Sequence, residues 1–355
     1  MKKNVHTAGK SRKQKKIMLL LLELLIILLL AIALFITTKL SKIEKNKLDM
    51  NDVSINDDLS DETKEAMAHY KTIALFGLDN RSNGSLSKGK SDVIMLANID
   101  TKQHTINLVS VYRDSYLDTG NGTYQKCNAA YAKGGPEQAL SMLNTNLDLA
   151  ITDYVTVDFN AIIECVDLLG GVDITITDDE ASLMIGYMKE LNELTGHNST
   201  PPASGGTYTL DGVQACAYAR IRYGGGDDYR RTERQRTVLT AMMQKAQKSN
   251  ILTLNKLINA AFGDIQTSFS NTDLLALATK VFSYDIGDTT GFPYEKTTHK
   301  YDKIGDVVIP CDLASNVTQL HQFLFNDENY TPSATVLSNS QQIISNTGYK
   351  QGDGH

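Results

Sequence analysis

Residues Tyr218–Arg236 read YARIRYGGGDDYRRTERQR and hold six of the chain's nine arginines: Arg220, Arg222, Arg230, Arg231, Arg234 and Arg236. From residue 17 onward, every other positive charge except Arg81 and Arg113 is a lysine. Lysine serves solubility, whereas a guanidinium presents a rigid fork of donors that matches phosphate oxygens two at a time. The pattern predicts a strand, a turn and a helix. Tyr218–Tyr223 has the two-residue period that puts Arg220 and Arg222 on one strand face. Gly224–Gly226 permit a tight turn, and Asp227 or Asp228 can cap the helix that follows. On that helix Asp228, Arg231 and Gln235 fall on one side, with Arg234 beside them. Cations in a first helical turn oppose the dipole, at roughly 0.3–1 kcal/mol each. A bound anion would offset that cost. Two readings follow: an oxyanion site, or a solvated helix laced by Glu233–arginine pairs.

Upstream, Lys71–Leu78 (KTIALFGL) reads as a buried strand ending at Asp79, Asn80 and Arg81. A polar loop through Lys90 leads into Ser91-Asp92 and the apolar run VIMLANI. Asp100–His104 is a turn, and TINLVSVYRD is a third strand ending in Arg113 and Asp114. Three such strands gather Asp79, Asp92 and Arg113 at one rim of a sheet, where α/β ligand sites lie. Asp79 and Asp92 are then either turn caps or hard oxygen ligands for Mg²⁺. Arg113 either faces that rim or pairs with Asp114 or Asp118. Downstream, a helix interrupted by Gly-Gly-Pro is expected between Asn128 and Leu147, and strand–helix–strand over 153–177. Helices are expected near Arg236–Ser249, Leu252–Ala261 and after Ser270, and a late strand and helix over GDVVIPCDLASNVTQLHQFLF. Strands alternating with helices make one α/β domain.

The first sixteen residues carry seven Lys/Arg and no acid. Ile17–Thr37 is then an almost unbroken Leu/Ile run, long enough to span a bilayer and too long for a signal-peptide core. The positive-inside bias places the N-terminus in the cytoplasm and the rest outside. Without that tail, 28 basic residues face 41 acidic ones, about −13. An acidic domain with one compact arginine cluster is not a nucleic-acid reader, which spreads a basic face. The four cysteines (Cys127, Cys165, Cys216, Cys311) follow no metal-ligand spacing, and their pairing stays open. The layout expected is a basic tail (1–16), a transmembrane anchor (17–38), an acidic stalk (39–69), the α/β domain (70–330) and a disordered tail (331–355).

The ordered series TIALFGLDNRS, KSDVIMLANID, INLVSVYRDSYL, KCNAAYAKGG, DYVTVDF, VDLLGGVDITI, L-DG-QA-AYARIR and DYRRTERQR closely resembles the LytR–CpsA–Psr family over residues 70–250. The resemblance implies a mixed central sheet flanked by helices, with an apolar tunnel for a polyprenyl chain supplied from faces within 155–185 and 236–262. It implies a Mg²⁺-dependent phosphotransferase that moves a glycopolymer from a polyprenyl-pyrophosphate carrier to a muramic acid hydroxyl of peptidoglycan at the cell membrane. Carried over by motif, Asp79 and Asp92 hold the metal. Arg81, Lys90, Arg113, Arg220, Arg222, Arg231, Arg234 and Gln235 serve the pyrophosphate, Asp228 orients arginines, and Asp114 or another nearby carboxylate takes the acceptor proton. Two positions depart from the family pattern: Lys90 stands where an arginine is usual, losing the bidentate fork, and Tyr112 where a proline is usual. A lipid phosphatase and a non-catalytic lipid receptor would use the same binding residues.

Overall fold

The computed structural model describes residues 44–45, 52–78, 86, 89–222, 227–250, 253, 256–257, 265–270, 273, 277 and 281–354. The three upstream strands form as their apolar runs dictate: β2 (Tyr70–Leu78), β3 (Ser91–Asp100) and β4 (Thr105–Val111). They pair antiparallel, from Tyr70 opposite Asp100 and from Asp100 opposite Thr105. The turn between β3 and β4 is closed by the Asp100 carboxylate, which accepts from the Lys102 and Gln103 amides at 2.8 and 2.9 Å. β1 (Glu44–Lys45), β7 (Asp153–Asp158), β10 (Ile265–Thr267) and β11 (Asp285–Phe292) complete a seven-stranded mixed sheet, ordered β1-β10-β7-β2-β3-β4-β11.

Helices cover both faces. On one lie α2 (Ala129–Leu147), α7 (Leu313–Phe325) and α8 (Ala334–Thr347), around a core that includes Phe76, Leu96, Tyr131, Leu140 and Leu320. α2 bends at Gly134 and Gly135, whose backbone leaves helical angles just before Pro136; the pyrrolidine would clash with a regular preceding turn. The other face carries α3 (Phe159–Leu168), α4 (Asp178–Thr195), α5 (Gly212–Arg220) and α6 (Asp227–Gln247). Short antiparallel strand pairs lie beside the sheet: the hairpins β5 (Tyr116–Asp118) with β6 (Tyr124–Lys126) and β12 (Lys296–Tyr301) with β13 (Gly305–Pro310), and β8 (Val172–Ile176) with β9 (Gly206–Leu210), which α4 separates in sequence. The α1 helix (Asp61–Ala68) precedes β2.

Four sequence expectations are corrected. Tyr218–Arg220 is the end of α5, not a strand. Asp211 and Gln214 close a capping box at 2.8 and 2.9 Å, and the alanines at 215, 217 and 219 favour the helix over the strand-like alternation. The chain turns out of the helix at Ile221, so Arg220 and Arg222 share no strand face. The α6 helix runs unbroken through Arg236, where a new helix was expected. Residues 331–355 are not a disordered tail: Ser333 caps α8, and Val336 and Ile343 are fully buried. The stalk reading fails from residue 52 onward, because Val53 and Leu59 are buried.

The last two have one cause. Buried Asp148 accepts from Asn56 Nδ2 (2.6 Å), Ser333 Oγ (2.7 Å), Tyr330 Oη (2.5 Å) and Ser333 N (2.8 Å). Polar composition conceals segments whose polar groups are satisfied against one buried carboxylate.

The run Ile17–Thr37, Asp79, Arg81 and most of Leu252–Ala261 lie outside the described residues. Among the described residues no helix is long and apolar enough to cross a membrane. None of the four cysteines forms a disulfide.

Candidate anion site at the sheet rim

Antiparallel pairing puts the start of β3 and the end of β4 at the same rim, so Asp92 and Arg113 meet there. Arg113 Nη1 lies 2.5 Å from Asp92 Oδ1, and its Nε 3.4 Å from Asp114 and 3.8 Å from Asp228. The turn that aims Arg113 is fixed from below. The Cys127 thiol donates to the Tyr112 and Arg113 carbonyls at 3.3 Å each, and the Asn128 amide to the Arg113 carbonyl at 3.1 Å. Lys126 Nζ holds Asp114 at 3.0 Å.

The first turns of α6 supply the other half. Arg231 Nη2 contacts Asp228 Oδ1 at 2.7 Å and donates to the Asp92 carbonyl at 3.4 Å. Arg222, on the loop after α5, reaches Asp92 Oδ2 at 3.8 Å. Asp92, Arg113, Asp114, Arg222, Asp228 and Arg231 therefore form one cluster.

Its electrostatics are those of a desolvated cluster of charges. Burial pulls Arg231 down to about 10; Asp228 beside it opposes that shift without cancelling it, and Arg113 and Arg222 add smaller repulsions. Burial also raises Asp228, despite Arg231 beside it. Arg113 is held above its ordinary value because Asp92, Asp114 and Asp228 outweigh its burial. The Nε atoms of Arg113 and Arg231 and Asp228 Oδ2 are buried without a hydrogen-bond partner among the described residues. Each such group costs about 1–3 kcal/mol unless something fills it. A phosphate offers acceptors to the two donors.

Other candidates stand elsewhere. Arg220 pairs with Glu190 at 3.3 Å and lies over the Phe159 and Tyr187 rings. Arg234 is buried, bonded to Glu180 at 2.8 Å and to the Ile221 carbonyl at 3.3 Å. It braces the loop that carries Arg222. Lys90 is exposed just before β3. Lys126 went unnoticed in the sequence although it directly precedes Cys127 in the KCNAAYAKGG stretch. Tyr112 was noted only as a departure, yet its ring packs on Tyr229, with centroids 4.6 Å apart.

Behind the cluster is an apolar cavity of about 260 Å³, between β2, β3 and β7 and the helices α3, α5 and α6. Phe76, Val93, Val157, Ile162, Val238 and Met242 are among its walls, and Gln235 lines it one turn beyond Arg231. Gly77 also faces it. A side chain there would come within 2.9 Å of Val93, so the glycine keeps β2 and β3 paired beside open space. Gln235 Oε1 is buried without a hydrogen-bond partner among the described residues.

Arginines and carboxylates on a sheet rim, beside an apolar cavity under the same helix, are the two features that mark this α/β fold. The chain belongs to the LytR_cpsA_psr family, whose model matches residues 31–302. It is 30% identical over 210 residues to the polyisoprenyl-teichoic acid–peptidoglycan teichoic acid transferase TagU of Enterococcus faecalis, covering 58% of this chain and 64% of that one. It is 29% identical over 269 residues to biofilm regulatory protein A of Streptococcus mutans, covering 72% and 63%. The chain thus spans just under two thirds of each relative's length. The structure of TagT with bound octaprenyl pyrophosphate lipid has the same fold, with a TM-score of 0.55 at 22% identity over 79% of this chain and 99% of that one.

Proposed function

We propose that this protein is a membrane-anchored transferase that moves a glycopolymer from a polyprenyl-pyrophosphate carrier onto a muramic acid hydroxyl of peptidoglycan. The observation that carries the reading is the junction at Gln235 of an apolar cavity with an arginine cluster. A prenyl chain joined to a pyrophosphate has that same division between apolar and anionic parts. The named relative TagU, a teichoic acid transferase, supports the reaction class, and Ile17–Thr37 serves as the anchor, with the domain outside the cell.

In the reaction the acceptor hydroxyl oxygen bonds to the glycan-side phosphorus, and the bond from that phosphorus to the bridging oxygen of polyprenyl phosphate breaks. Arg113, Arg222 and Arg231 hold the phosphoryl oxygens and stabilise the charge that develops on them. The proton passes to a carboxylate. Both oxygens of Asp114 face a cation, Lys126 at 3.0 Å and Arg113 at 3.4 Å. Asp228 keeps one oxygen without a hydrogen-bond partner among the described residues and has a raised pKa. Asp228 is the better acceptor, since a base with a raised pKa is nearer the operating pH.

The donor set fits Mg²⁺. Among the described residues Asp92 Oδ2 has only the long Arg222 contact, and Mg²⁺ takes one or two carboxylates, substrate phosphates and waters. Asp92, together with Asp79 beyond the described part of β2, would hold the ion, which when bound would neutralise charge on the leaving phosphate. Among the described residues no three His, Cys, Asp or Glu side chains gather as a protein-only cage.

The test supplies the full chain in detergent with a synthetic polyprenyl-pyrophosphate glycan, Mg²⁺ and peptidoglycan oligomers. Glycan attached to the acceptor, absent in Arg113→Ala, supports transfer. Polyprenyl phosphate released without attachment means hydrolysis, and binding with no release means a receptor.

A further inference from the structure

Lys296 opens β12, and the β12–β13 hairpin is tied to the arginine turn by the Val308 amide, which donates to the Asp114 carbonyl at 2.9 Å. The Lys296 Nζ stands 4.6 Å from the Tyr229 ring centre and 5.7 Å from that of Tyr112. Tyr229 follows Asp228 and Tyr112 precedes Arg113, so this ammonium packs on the two rings whose residues adjoin the anion site in sequence. It donates to the Tyr294 carbonyl at 3.1 Å. An ammonium has three donors, and no carboxylate among the described residues pairs with this one.

The obvious partner is occupied: Glu295 Oε1 accepts from the Gly352 and Gly354 amides at 2.6 and 3.3 Å. Arg236, whose charge also acts on Tyr112, donates to Ser110 Oγ at 2.8 Å, and its Nε is buried without a hydrogen-bond partner among the described residues. It too has no carboxylate contact among the described residues. Arg113, Arg220, Arg222, Arg231 and Arg234 each have one. Burial holds both Lys296 and Arg236 below their ordinary values. Lys296 and Arg236, two desolvated cations with no carboxylate in contact among the described residues, thus flank one tyrosine pair, and Glu233 acts on Arg236 through its charge alone.

We propose that Lys296, with Arg236 beside Tyr112, binds a second anionic group, a phosphate or carboxylate carried by the glycan beyond the pyrophosphate. The proposal rests on the transferase reading for the orientation of the donor. It makes Lys296 a specificity residue, the contact by which an acidic glycan is preferred over a neutral one.

The test uses the full chain in detergent and three polyprenyl-pyrophosphate disaccharides, identical except for a phosphate, a carboxylate or a hydroxyl on the distal sugar. Affinity is measured without acceptor and transfer is measured with it. Wild type is expected to favour at least one acidic donor about ten-fold or more, the scale of a charge-assisted contact. Lys296→Gln should erase the preference and Lys296→Arg restore part of it. The arm that responds identifies phosphate or carboxylate. Equal affinity of wild type for all three donors would overturn the proposal, and so would an equal loss across all three in Lys296→Gln. A Lys296-dependent preference in binding with no transfer to any acceptor would sustain it and defeat the transferase reading instead.

Discussion

Arg231 Nη2 and Asp228 Oδ1 lie 2.7 Å apart across one helical turn, yet burial drives both residues toward their neutral forms. The contact does not recover what desolvation costs two charges, which is the general behaviour of buried ion pairs. Such an arrangement persists where a third charge, supplied by a ligand, completes it.

Removing one partner should therefore be worse than removing both. Arg231→Met leaves Asp228 charged with only the 3.8 Å Arg113 contact, at a cost of about 3 kcal/mol, the low end for buried pairs because Arg113 remains and the Asp228 side chain is 21% exposed. Asp228→Asn with Arg231→Met should recover most of the unfolding midpoint and none of the activity. Thermal unfolding and transfer assays on the three variants check this. A double variant no more stable than Arg231→Met would show that the pair itself stabilises the fold.

The acid limb of the rate profile follows from the direction of the Asp228 shift. Its folded pKa lies above the ordinary carboxylate value, and a bound pyrophosphate, being anionic, pushes it the same way. Below that pKa the carboxyl carries a proton and cannot accept one. Single-turnover kcat should then fall as pH drops through a value above the usual aspartate range, and Asp228→Asn should lack that limb. An unchanged limb in the variant would transfer the role to another carboxylate.

The cavity can be blocked without touching the arginines. Ile162→Trp or Ala219→Phe places a large ring among its walls, where overpacking costs about 1–3 kcal/mol. Each should lose affinity for a long-chain prenyl pyrophosphate while binding inorganic pyrophosphate as wild type does. Parallel calorimetric titrations separate the two, and equal loss for both ligands would argue that the cavity holds no prenyl chain.

Deleting residues 334–354 should destabilise the domain. It exposes the surface that buries Val336 and Ile343, each contributing about 1.5–3 kcal/mol. A soluble truncated protein with an unchanged midpoint would make α8 an appendage.

The rim was legible because apolar runs with polar ends, β2 to β4, fix both pairing and the edge at which Asp92 and Arg113 appear. The three-residue offset of Asp228 and Arg231 was legible because helical geometry alone brings them together. Arg220 was misplaced: alternation in YARIRY fits a strand, but the capping box seven residues upstream starts a helix that turns Arg220 toward Glu190. Lys296 left no local signal. It arrives through β12, sixty residues past Arg236, and only tertiary packing places it over Tyr229.

Arg220 and Arg222, two residues apart in sequence, should consequently separate in function. Arg222 reaches Asp92 and is 43% exposed at the rim, whereas Arg220 is 11% exposed, paired with Glu190 and covered by Phe159 and Tyr187. Arg222→Gln should weaken pyrophosphate binding by about ten-fold or more, as loss of a charge-assisted contact does, with little change in unfolding. Arg220→Gln should lower the unfolding midpoint first, since it strips a partly buried cation from its carboxylate and two rings. Its affinity loss should be the smaller of the two. Calorimetric titration of each variant with pyrophosphate, beside its thermal unfolding, decides the matter. Should Arg220→Gln bind more weakly than Arg222→Gln at an unchanged midpoint, Arg220 must swing from Glu190 to the ligand, and Glu190→Gln should then tighten binding.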